Sequence, residues 1–128
     1  MNGLRPLLLA AVFFAATLLP ACKDDGDRLV DRMSDLDALV MQNNWSCTAM
    51  ASALDTWALE HETELTTLLE SLQASGELAE VAERIEGLDG HDRALAALEK
   101  CSTEPKLSRA LLRLARILGA VSDTKARS

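Results

Sequence analysis

The sequence predicts an all-α fold, a small up-and-down four-helix bundle. Three observations lead there. Apolar residues recur at helical spacing in four long stretches, and short turn signals separate the stretches. The chain has no Tyr, only 3% aromatic residues and abundant Ala and Leu, whereas strands prefer β-branched and aromatic side chains. With 48% hydrophobic residues in periodic order, it is too apolar to stay disordered.

The first stretch, residues 25–42, places Leu29, Met33, Leu36 and Val40 on one helix face at steps of four, three and four. Asn43 and Asn44 end it. Ser46 is positioned to cap a second helix running to Gln73, whose stripe is Cys47, Met50, Leu54, Trp57, His61, Leu65, Leu68 and Leu72. Ala74-Ser75-Gly76 breaks the chain, with Gly76 able to take the left-handed conformation that closes a helix. The third stretch, Glu77 to Lys100, carries Leu78, Val81, Ile85, Leu88, Leu95 and Leu98 in phase. Gly87 and Gly90 weaken it, and a kink or break is expected near Asp89-Gly90. Ser102 is the expected cap of the fourth helix, with Pro105 in its first turn. Leu107, Ala110, Leu111, Leu114, Ile117, Leu118 and Val121 form its expected buried face. Short connections predict sequential antiparallel neighbours.

Ahead of these helices stand one cation at Arg5, a thirteen-residue apolar run from Leu7 to Leu19, and then Pro20-Ala21-Cys22. Thirteen helical residues span about 20 Å, short of the roughly 30 Å of a bilayer core, so the segment reads as a leader peptide and not a retained span. Leu19-Pro20-Ala21-Cys22 resembles the lipobox of bacterial lipoproteins, with Pro20 a departure from the usual Ala, Ser or Thr. The resemblance implies cleavage after Ala21, diacylation of the Cys22 thiol and acylation of its new amine. In enterobacterial lipoproteins Asp after the lipidated Cys retains the protein in the inner membrane. Lys23 stands there here, which implies the outer membrane and a periplasm-facing domain. Two or three acyl chains anchor stably where one is marginal. Residues 22–128 are then a single helical domain with a short N-terminal tether and a frayed C-terminus, and their length leaves no room for a second domain.

Besides Cys22 the cysteines are Cys47 and Cys101. If the second and third helices fold back around residues 74–76, both cysteines reach the same end of that hairpin, and an exported protein oxidises such a pair. A disulfide-stapled hairpin in the middle of the bundle is expected.

Charge is unevenly spread: net −13 over residues 22–104 and net +5 over residues 105–128. Arg109, Arg113 and Arg116 form a row on the basic last helix, extended by Lys125 and Arg127. Two roles are open to the row. It can lie against acidic helices carrying Glu77, Glu80, Glu83 and Glu86, or it can touch an acidic partner or anionic lipid headgroups. Overall acidity and export disfavour nucleic acid.

His61 and His91 lie near the apolar stripes of the second and third helices, offset by about one turn, roughly 5–6 Å, when the cysteines are aligned. An alternative reading therefore gives the bundle a metal or haem held by His61 and His91, aided by Glu60, Glu64 or Met50. Known signatures are missing. Ala58 and Leu88 stand three before the histidines where di-iron bundles need Glu, Cys47-Thr48-Ala49-Met50 is no covalent haem motif, and His61-Glu62-Thr63-Glu64-Leu65 lacks the second His of zinc proteases. Bundles that bind haem non-covalently pair a Met on the first helix with a His on the last. Met33 would serve, but the last helix has no His. No nucleophile, base and orienting group stand at a diagnostic spacing. The expectation is thus a non-enzymatic, cofactor-free domain that works by binding another envelope protein as adaptor, accessory subunit or inhibitor, immunity to a toxin included.

Overall fold

In a computed structural model of the chain, residues 23–127 are described, with side chains through Ile117. The expected leader peptide, residues 1–21, and the expected acylation site Cys22 lie outside the described residues. The described chain is all-α: α1 Asp25–Gln42, α2 Cys47–Ser75, α3 Leu78–Glu86, α4 His91–Lys100 and α5 Pro105–Arg127. The third rod of the expected bundle is thus two helices.

Local chemistry sets the boundaries. The Asp24 carboxylate accepts from the Asp27 amide at 2.8 Å and caps α1. Ser46 caps α2 as expected, its Oγ accepting from the Ala49 amide at 3.2 Å. Gly76, at φ +77°, closes α2, with its own amide and that of Glu77 returning to Gln73 and Leu72 carbonyls. Gly90, at φ +85°, ends the break between α3 and α4. Ser102 does not cap α5. It sits inside the preceding turn, donating its amide to Glu99, while Glu104 precedes the first residue of α5 and its carbonyl accepts from Ser108.

The break has a packing consequence. It re-phases α4, so Ala94 and Ala97 are buried and Leu95, expected on the inner face, is 49% exposed. A single helix continued from Leu88 would have turned Leu95 inward.

Helix α2 is the axis of the fold, with α1 and α5 packed against it, while α1 also carries α3 and α4. Two apolar clusters fill the interior. Near the 74–76 turn, Leu29, Trp57, Leu65, Leu68, Leu69, Leu72 and Val81 meet with Ile117. Near the Cys47 end, Val40, Met50, Ala51 and Leu54 meet Ala94, Ala97, Leu107 and Ala110. The chain direction alternates rod by rod, but the main neighbour of α5 is α2 and not the preceding helix. The two run parallel, since both start at the Cys47–Cys101 end and Asp55 pairs with Arg113 eight residues into each helix. Ala51, Ala58 and Ala110, each at most 1% exposed, let their backbones approach. The seam on α5 is therefore narrow, formed by Leu107, Ala110, Leu114 and Ile117. Leu111, expected inside, is 37% exposed, and the side chains of Leu118 and Val121 lie outside the described residues.

Candidate interaction surface

The sulfurs of Cys47 and Cys101 are bonded, with Cα atoms 5.3 Å apart and a separation of 54 positions in sequence. The equal arms of the hairpin bring them together as the sequence predicts. The staple joins the start of α2 to the end of α4, and α5 departs four residues later. This end of the bundle is the one farthest from Asp24 and the 74–76 turn, by the length of the 18-residue α1, about 27 Å.

The arginine row lies along the α2–α5 seam. Arg113 Nε donates to Asp55 Oδ1 at 3.0 Å, and both side chains are about two-fifths exposed. Arg109 and Lys106 line the same shallow cleft of about 290 Å³, whose other wall is Ala51, Ser52 and Asp55. Arg116 is exposed one turn further on. The expected acidic neighbour of this row is not the one found. Among the described residues, the backbone of α5 approaches α2 alone, and Glu77, Glu80, Glu83 and Glu86 belong to the α3 segment on the other side of the fold. Buried small residues and the Arg113–Asp55 pair both lie on the seam where α5 docks. Asp55, which sequence reasoning passed over, is its one ion-pair partner in the row among the described residues.

Most other ion pairs sit near the start of α1. Arg32 donates to Glu64 at 2.7 Å and to Asp35 at 3.0 Å, Arg84 donates to Asp27 at 2.7 Å, and Lys23 pairs with Asp31. The hydrogen bond to Glu64 raises the Arg32 guanidinium above its ordinary value, and that to Asp27 does the same for Arg84. These cations stay charged and hold α1 to α2 and to α3.

The histidines have separate partners. His61 stacks on Trp57 with ring centroids 4.5 Å apart, and its Nδ1 donates to the Trp57 carbonyl at 2.9 Å. A carbonyl only accepts, so Nδ1 carries the proton. His91 opens α4 and its Nδ1 meets the Asp37 carboxylate at 2.9 Å, tying α4 to α1. Among the described residues no three His, Cys, Asp or Glu side chains are grouped to hold a metal ion.

One residue that the sequence reading missed stands out. Trp45 is 77% exposed in the turn between α1 and α2, two residues from the staple. The signal was present: after residue 22 the chain has two aromatics, Trp45 and Trp57, and only Trp57 falls in a helical stripe. No family model, curated protein or solved structure matches the chain.

Proposed function

We propose that the chain is a bacterial lipoprotein, acylated at Cys22 and facing the periplasm from the outer membrane, whose helical domain acts without catalysis by binding another envelope protein. Adaptor, accessory subunit and inhibitor or immunity protein are the forms such a role takes. The supporting observation is the surface of α5. Arg109 and Arg116 are exposed and in no ion pair among the described residues, in a domain whose other half pairs its cations with carboxylates. The clefts lined by Lys106, Arg109 and Arg113 and by Arg93 and Lys100 are shallow, which suits contact with a protein surface better than enclosure of a small molecule.

The test is fractionation of cells producing the full chain or its Cys22→Ala variant, with mild crosslinking of the membranes. The proposal predicts that the full chain partitions with the outer membrane and enters a discrete larger species, and that Cys22→Ala is released from the membrane. Full membrane retention of Cys22→Ala contradicts the anchor. A wild-type chain that stays monomeric under crosslinking contradicts the binding role.

A further inference from the structure

The stapled end of the bundle carries an exposed tryptophan on a rigid turn, with one basic cleft beside that turn and a second on the α2–α5 seam. From these we infer that Trp45, acting with the basic clefts, is the docking tip for an acidic surface on another envelope protein. The inference rests on the anchored, protein-binding reading above and names where and what that contact is.

Rigidity comes first. The Asn43 side chain donates to the Leu39 carbonyl at 2.8 Å, the Asn44 amide to Met41 at 3.4 Å and the Ser46 amide to Asn43 at 3.2 Å. Ser46 caps α2, and the next residue is locked by the disulfide. Trp45 is therefore presented by a turn fixed on both sides. A large amphipathic ring held in place loses little freedom on binding, and Trp and Arg are the residues that most often carry interface affinity.

Charge supplies the partner's chemistry. One cleft, about 360 Å³, is lined by Met41, Asn44, Arg93, Lys100 and the disulfide, with no carboxylate in its described lining. The second is the α2–α5 cleft, with Lys106, Arg109 and Arg113 against Asp55 alone. Each carries two cations in excess. A cleft of the opposite end, about 630 Å³, has Lys23, Arg28 and Arg32 balanced by Asp25, Asp31 and Glu64. Arg93, Lys100, Lys106 and Arg109 enter no ion pair among the described residues. In a chain with 20 acidic residues against 13 basic, four cations that are unpaired among the described residues thus line clefts in the half of the bundle that carries Trp45, the half farther from the tether. An acidic protein surface with a pocket for the indole is the complement. A second copy is a poorer fit, because copies anchored in one leaflet point their tips the same way.

The experiment places a photoreactive phenylalanine analogue at position 45, at Leu59 or at Ala79, one at a time, in the full chain produced in its own cells. Adducts are mapped by tandem mass spectrometry after irradiation. The expected result is an adduct from position 45 whose attachment site lies in an Asp- and Glu-rich segment of one envelope protein. Its yield falls about tenfold or more when exposed Lys100 and Lys106 are changed to Glu, and falls as salt rises to 0.5 M. Against that partner once identified, Trp45→Ala lowers affinity by at least about thirty-fold. Helical circular dichroism and intact disulfide mass confirm that the variants fold. Adducts from Leu59 or Ala79 alone overturn the docking tip while leaving protein binding in place. An adduct to a second copy, to lipid, or to a non-acidic segment insensitive to charge reversal also overturns it. Absence of adducts from all three positions removes the protein-binding reading as well.

Discussion

Replacing both Cys47 and Cys101 with Ala removes the staple, and the cost follows from the loop it closes. With the cysteines 54 positions apart in sequence, the chain-entropy relation gives about 4 kcal/mol of stabilisation lost at 25 °C. Little else accompanies the change, since Ala keeps the backbone and the apolar lining at buried Cys101. For a domain of about 100 residues each kcal/mol moves the midpoint by roughly 4–8 °C, so a fall of about 15–30 °C is expected. Urea denaturation followed by helical circular dichroism measures it. The slope with denaturant should rise in the variant, because an unfolded chain without the crosslink exposes more surface. Reduced wild type should unfold with the variant. A loss below about 1 kcal/mol, with unchanged slope, would refute the account of the staple as a constraint on the unfolded chain and would leave helix packing as the sole support of this end.

Ala110 is fully buried between α2 and α5, so Ala110→Leu overpacks the seam and should cost about 1–3 kcal/mol by urea denaturation. Gly90 is at φ +85° with open space where a side chain would stand, so Gly90→Ala should cost about 1 kcal/mol through backbone conformation alone, read by thermal melts. A double-mutant cycle on Asp55 and Arg113, both about two-fifths exposed, should return a coupling of only about 0.2–1 kcal/mol that shrinks in high salt. Leu54→Ala, in the fully buried cluster at the staple, should cost about 2–5 kcal/mol and should not weaken membrane attachment.

Where local chemistry decides structure, the sequence was legible. The stripes of α1 and α2, the Ser46 cap, the Gly76 stop and the meeting of Cys47 with Cys101 follow from 3.6-residue spacing, side-chain hydrogen bonding and equal hairpin arms. The break at Gly90 was visible as a weakness, but its effect on phase was not, and Leu95 was assigned inward on the assumption of one continuous helix. The docking of α5 was least legible. Charge pointed to the glutamates of α3, whereas α5 packs on α2, where small Ala51 and Ala58 are buried outside the stripe read for that helix. Small residues announce close helix approach only once a partner is known. Trp45 lay outside every stripe, and its exposure depends on how two helix ends and a disulfide come together.

Intact and native mass spectrometry of the chain taken gently from its own membranes tests the central claim most directly. The account predicts a polypeptide beginning at Cys22, heavier by two or three acyl chains and lighter by the two hydrogens of the Cys47–Cys101 bond, released from a stoichiometric complex with another protein. An unacylated chain retaining residues 1–21, or a free chain carrying the mass of a metal or haem, would contradict it.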